Sequence, residues 1–170
     1  KSVAMISSGD AGVYGMAGLI CELSEGKGVD AEVIPGVTAA LSGAAVLGAP
    51  LGHDFAVISL SDLLTPWEII EVRLEAAAKA SLCIAIYNPA SHKRPDHLRR
   101  ACNVLLRHLS SDTVCGVARN IARAGEMTRI LTLAELCEYP ADMFTTVFVG
   151  NCRTRVIDGR MVTPRGYRDA

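Results

Sequence analysis

The residues best placed to do chemistry lie near the start of the chain: Ser7-Ser8-Gly9-Asp10-Ala11-Gly12-Val13-Tyr14-Gly15-Met16-Ala17-Gly18. A short apolar run, Val3–Ile6, precedes them and reads as a buried strand. Met16, Leu19, Ile20 and Leu23 follow at helical spacing. A strand that turns on small residues into a helix presents backbone N–H groups at the carboxyl edge of a sheet, the usual ligand site of α/β folds. The spacing Gly12-x-x-Gly15-x-x-Gly18 is not the dinucleotide pattern G-x-G-x-x-G. Asp10 at the strand's end would repel a pyrophosphate seeking the same amides. It suits hydroxyls, as on a ribose, or a cationic ligand. Taken alone, the loop also suits a plain structural turn capped by Asp10.

S-adenosylmethionine (SAM) carries a ribose, a sulfonium and an ammonium, so the loop chemistry fits it better than NAD. Pro35-Gly36-Val37-Thr38-Ala39-Ala40 forms a second strand-to-helix junction. Thr38 suits an N-cap, and the small Ala39 and Ala40 let a flat ligand approach the backbone. Tyr87-Asn88-Pro89 closes a third strand and Ala118-Arg119-Asn120 a fourth. If the strands run parallel, these junctions line one cleft. Each also reads as an ordinary loop; their joint placement favours the cleft. Between Pro89 and Pro95, a stiff loop holds His92, Lys93 and Arg94. Arg94 could pair with a carboxylate in bidentate fashion, and His92 could act as a general acid. A lone loop histidine also reads as a bystander, as does His53 beside Asp54. Ser59, Ser61 and Asp62 form no nucleophile triad with a spaced histidine, so hydrolase chemistry has no support.

The elements that must position these residues alternate along the chain. Strand-like runs occur at Val3–Ile6, Ala31–Ile34, Ala56–Ile58, Leu82–Tyr87, Val114–Ala118, Arg129–Leu131 and Thr145–Val149. Thr65-Pro66-Trp67-Glu68 predicts a helix start with Thr65 as N-cap and Glu68 in a capping box. That helix should bury Trp67, Ile70 and Leu74. A second, from Asp96 to Leu109, puts Leu98, Ala101, Cys102, Leu105 and Leu109 on one face and Arg99, Arg100, Asn103 and Arg107 on the other. Thr38–Leu47 is small and apolar all round, which predicts a helix buried on most sides. Gly48–Asp54 reads as a joint between two lobes, residues 1–50 and 51–170. Asp158-Gly159 between Arg155–Ile157 and Arg160–Val162 predicts a hairpin.

Composition narrows the function classes. Half of the 170 residues are hydrophobic, enough for a substantial core, and no apolar run approaches a bilayer span. The first residues, one Lys, a strand-like run and then Gly-Asp, do not read as a secretory signal. Aromatic content of 5% gives little support to a base-stacking nucleic-acid module. The six cysteines form no CxxC pair, so the expectation is reduced core thiols, no metal site and a cytoplasmic protein. Net charge is −1, but residues 92–129 hold eight basic groups against three acidic ones. An anionic ligand there is one reading and a solvated basic face the other.

Four stretches, Ser8–Gly18, Pro35–Ala40, Leu51–Glu68 and Tyr87–Pro89, resemble the tetrapyrrole (corrin/porphyrin) methylases of cobalamin biosynthesis. The likeness covers essentially the whole chain. Gly52–Glu68 and the tail Thr154–Tyr167 are most like the members that act on precorrin-3B. The resemblance implies a SAM-dependent C-methylation at C17 of precorrin-3B or its cobalt analogue, with contraction of the macrocycle. Another C-methylase of that pathway, or a non-catalytic SAM-binding module, is the alternative. It implies two α/β lobes with a cleft between them and a homodimer. The SAM contacts it implies are Gly9, Asp10, Val13, Thr38, Ala39, Tyr87 or Asn88, and Ala118. The anionic arms of the substrate would suit Lys93, Arg94, Arg119 and Arg123, and proton movements His53, His92 or Asp62. Members carry a further strand–helix portion with a Gly-Pro-Gly-Asp loop ahead of the strand on which residues 1–170 open. The first lobe is therefore expected to be incomplete, with part of the substrate trough elsewhere.

Overall fold

The structure, a computed structural model, describes residues 2–167. In chain order its elements are α1 (Ala17–Ser24), α2 (Ala39–Leu47), β1 (Gly48–Ala49), β2 (Phe55–Ser59), α3 (Trp67–Lys79), β3 (Cys83–Tyr87) and α4 (His97–Leu105), then β4 (Val114–Arg119), β5 (Met127–Thr132), α5 (Leu133–Cys137), β6 (Thr145–Val149), β7 (Arg155–Ile157) and β8 (Arg160–Val162). The mixed α/β class expected from the sequence is what forms.

Two nearly continuous apolar runs, Cys-Ile-Ala-Ile-Tyr and Thr-Thr-Val-Phe-Val, become the buried strands β3 and β6. They sit inside a five-stranded sheet of order β2-β3-β6-β4-β5. β2 and β3 are parallel, and β6 runs antiparallel to both β3 and β4. β4 therefore runs with β3, and the carboxyl ends of β2, β3 and β4 meet at one edge of the sheet. Alternation along the strands separates two cores. Ile84, Ile86, Val147 and Val149 face α3, α4 and α5, while Ala85, Phe148 and Ala118 face α2 and Met161 of β8.

Close approach on the α2 face depends on two missing side chains. A Cβ on Gly43 would meet Phe148 at 2.8 Å, and one on Gly116 would meet Leu47 at the same distance. The Asp158-Gly159 hairpin forms as expected, and β8 pairs in parallel with β1. Behind it, the Thr163 hydroxyl donates to the Pro50 carbonyl (2.6 Å) and meets the Thr154 hydroxyl (2.8 Å). At the mouth of α5, Thr132 and Glu135 close a capping box.

Several expectations fail for physical reasons. Val3–Ile6 and Ala31–Ile34 form no strands; Val3 and Ile6 are almost fully exposed. A strand needs a ladder partner for its N–H and C=O groups, and no described segment pairs with either. α1 forms but buries none of its residues. α2 is buried on one side only, with Leu41 and Val46 exposed. Pro66, not Thr65, occupies the N-cap of α3, and no side-chain cap forms there. α4 ends at Leu105 instead of Leu109. Cys83, Cys102 and Cys115 are buried core thiols, but Cys21 and Cys152 are exposed. Burial pushes the Cys115 thiol up to about 12.

Candidate functional site

Asp10 joins the first two junctions. One carboxylate oxygen accepts the Gly12 N–H at 2.8 Å and the other the Gly36 N–H at 2.9 Å. The Gly36 amide, then that of Gly12, holds this carboxyl below its ordinary value. Ionised, it still has acceptor capacity on both oxygens, so a ribose hydroxyl or a cation remains a chemical fit. Gly9 adopts φ +77°, and a Cβ on Gly36 would lie 2.1 Å from the Gly9 carbonyl oxygen. The two loops touch backbone to backbone there.

The third junction closes on the second. The Tyr87 hydroxyl accepts the Ala40 N–H (2.7 Å) and shares a hydrogen bond with the Thr38 hydroxyl. Thr38 stands at the N-cap of α2 but its hydroxyl caps no N–H of the helix, and the phenol of Tyr87 takes the Ala40 N–H instead. Ala39 is half-buried between them. Asn88, at φ 52°, donates its side-chain amide to the Ser59 hydroxyl at 2.9 Å.

Tyr14 was not singled out by the sequence, yet it ties the first loop to the sheet. Its hydroxyl donates to the Val57 carbonyl (3.2 Å) and accepts the Ser59 N–H (3.1 Å). β2 is an edge strand, so this phenol fills a donor and an acceptor that no neighbouring strand uses. Its ring lies 5.3 Å from that of Tyr87, tilted by 53°. Tyr14→Phe keeps the ring contact and removes both hydrogen bonds. Its affinity for S-adenosylhomocysteine should fall roughly five- to tenfold, the loss of about 1 kcal/mol or slightly more. Titration calorimetry checks this, and an unchanged affinity would separate the loop from the ligand site.

Gly9, Asp10, Val13, Thr38, Ala39, Tyr87 and Asn88 thus gather around the carboxyl ends of β2 and β3. Ala118 is wholly buried beneath α2, so at the fourth junction only the residues beyond it reach the surface. Arg119 is paired with Asp142 at 2.8 Å. Arg94 is mostly buried, its guanidinium 3.4 Å from the Leu60 carbonyl and 3.8 Å from Asp62. Lys93, Arg123 and His92 are exposed, and no ion pair of theirs is found among the described residues. His53 lies at the opposite edge, before the amino end of β2, where its Nε2 donates to the Pro164 carbonyl. It is not among the residues that converge.

A second residue absent from the sequence reading is His97, which opens α4 and is 93% buried by the measure of its 7% exposure. Its Nε2 lies 3.0 Å from the Asp62 carboxylate, off the line of a good hydrogen bond, and finds no other partner. Trp67 packs edge-on against His97 at 5.1 Å, and Arg100 stacks on Trp67 at 3.9 Å. His97, then Arg94, holds the Asp62 carboxyl below its ordinary value. The only hint in the sequence was an apolar helix face that begins on a histidine.

Residues 1–137 match the family model of the Tetrapyrrole (Corrin/Porphyrin) Methylases. The chain belongs to the tetrapyrrole methylase family. This methylase is 51% identical over 98% of its length to a Salmonella typhimurium protein named "Probable cobalt-factor III C(17)-methyltransferase", of which it spans 70%. It is 43% identical over 99% of its length to a Sinorhizobium protein named "Precorrin-3B C(17)-methyltransferase", again spanning 70%. A longer relative from Priestia megaterium, named "Cobalt-factor III methyltransferase", is 48% identical over 99% of the chain, which spans 32% of it. Among solved structures, the methyltransferase CobJ superposes with a TM-score of 0.86 at 38% identity, over 93% of this methylase and 68% of CobJ. The uroporphyrin-III C-methyl transferase of Thermus thermophilus, solved with S-adenyl homocysteine, gives 0.63 at 21% identity over 84% and 62%, and shows the shared fold. No described helix is long and apolar enough to cross a membrane.

Proposed function

We propose that this methylase transfers a methyl group from SAM to C17 of a precorrin-3B-type macrocycle, with ring contraction, in cobalamin biosynthesis. The observation that carries the reading is the 51% identity, across 98% of the chain, to the Salmonella relative and its printed activity. Identity to the Sinorhizobium relative is lower, 43%, so the cobalt-bearing macrocycle is the first substrate to try. SAM supplies a methyl group already activated on a sulfonium, so the protein's part is alignment and exclusion of water, worth roughly 7–11 kcal/mol of barrier when alignment is good.

Gly9, Asp10, Val13, Thr38, Ala39, Tyr87 and Asn88 are the residues that would hold the donor, Asp10 through its remaining lone pairs. Of the four candidate cations, Lys93 and Arg123 form no ion pair with a described residue and would meet the substrate's carboxylates. Arg94 and Arg119 are committed to Asp62 and Asp142 and would serve only by exchanging partners. We extend the reading to a homodimer, as the family resemblance implies. The six unpaired cysteines suit a reducing compartment, which supports the cytoplasm.

The test is turnover by the full-length protein with SAM and cobalt-factor III or precorrin-3B. A product one methyl group heavier, with the new methyl on C17 by NMR, is the expected result. Methylation at another carbon would favour a different C-methylase of the pathway. Tight S-adenosylhomocysteine binding with no turnover on either macrocycle would favour a non-catalytic SAM-binding module.

A further inference from the structure

Asp62 lies three residues beyond the carboxyl end of β2, at the edge where the candidate SAM loops gather. The Ser61 N–H bonds the Ser59 hydroxyl, which also takes the Asn88 amide, so the Asp62 loop grows out of the same network. Its side chain is 31% exposed, between the buried Leu60 and the solvent-facing Leu63 and Leu64. Behind it sits His97, buried, with a ring nitrogen that bonds nothing squarely.

On the reading above, we propose that Asp62 is the base that takes a proton from the methylated macrocycle and that His97 is its positioning residue. The step balances. A ring carbon donates an electron pair to the methyl group, the C–S bond of the sulfonium breaks, and its electrons stay on sulfur. The macrocycle then carries one extra positive charge. An Asp62 oxygen accepts a proton from it; the electrons of the broken bond return to the ring system and restore its charge.

The groups that face Asp62 are His97 from α4 and Arg94 from the preceding loop. On the α3 side the contact runs through Trp67, which packs on His97 and carries Arg100 on its ring. Among the described residues the Nε2 of His97 has no other acceptor, so the Asp62 carboxylate 3.0 Å away is the group it can serve. Arg94, held 3.4 Å from the Leu60 carbonyl, stands 3.8 Å from the other oxygen and acts on it by charge. This keeps Asp62 ionised and aimed, as a base must be.

The experiment uses the full-length enzyme, with S-adenosylhomocysteine affinity and thermal unfolding as controls. Asp62→Asn should lower turnover roughly a hundredfold or more with donor affinity unchanged. His97→Asn should shift the acid limb of kcat to higher pH. The sign follows from the depressed Asp62 carboxyl: the base works above its titration and fails below it, and removing its main stabiliser moves that titration up toward the ordinary carboxylate range. A packing role for His97 would lower the rate at every pH and leave the limb in place, which would overturn the assignment of His97. Should His97→Asn fail to fold, Asp62→Asn in its surface loop still decides: full turnover overturns the inference while the functional reading stands. A wild-type enzyme that methylates neither macrocycle overturns both.

Discussion

Gly36→Ala is expected to cripple donor binding while leaving the protein folded. The new Cβ would lie 2.1 Å from the Gly9 carbonyl oxygen and 3.1 Å from its carbon, both backbone atoms that have no rotamer to yield. The two loops must part, and the Gly36 N–H then loses the Asp10 oxygen it holds at 2.9 Å. Overpacking of this kind costs about 1–3 kcal/mol, or roughly 5- to 150-fold in affinity. The backbone clash argues for the upper end. Calorimetry with S-adenosylhomocysteine reads the loss directly. Gly18→Ala is the matched control. It lies inside α1 with nothing within 4 Å of the added Cβ, and should be neutral or stabilising by up to about 1 kcal/mol. Equal affinities for the two variants would remove the loop junction from the donor site.

Phe148→Ala should have the largest effect on stability. Phe148 is fully buried in the middle of β6, under Gly43 of α2. Truncating a buried phenylalanine costs about 3–5 kcal/mol, part of it for the cavity left behind. In urea the midpoint should drop with little change in slope. α2 loses its seat, so donor affinity should fall with stability. Val156→Ala, at a half-exposed hairpin position, should stay within about 0.5 kcal/mol of wild type. A Phe148 variant as stable as that one would mean the α2 face is not packed as described.

Local signals carried much of the fold. Thr145–Val149 and the Asp158-Gly159 hairpin appear with their expected bounds because an apolar run and a two-residue turn specify themselves. Val3–Ile6 and Ala31–Ile34 have equally good local character, but strand formation depends on a neighbour, which local character cannot supply. The same division runs through the site. Thr38, Tyr87 and Asn88 stand at helix or strand ends that periodicity can locate, and Asp10 in the loop ahead of α1. Their bonds to one another span many residues: 26 between Asp10 and Gly36, and 49 between Thr38 and Tyr87. No spacing rule reaches that far. Tyr14 was hidden inside a glycine-rich stretch, and its partner is the free edge of a strand that only the sheet order reveals. His97 was hidden as a helix-face residue, and its meaning comes from Asp62 in another loop.

The pairing of β1 with β8 also has a mechanical side. α2 runs directly into β1, whose Gly48 and Ala49 are stitched to Met161 and Val162. At its other end, Tyr87 grips Thr38 and Ala40. A rod of nine residues, roughly 13.5 Å long, is thus fixed at two points and can neither slide along its axis nor pivot about one end. The last strand of the fold gauges how far the first residues of α2 project over the sheet edge. Loosening the tail would be felt at the ligand face without altering any residue there.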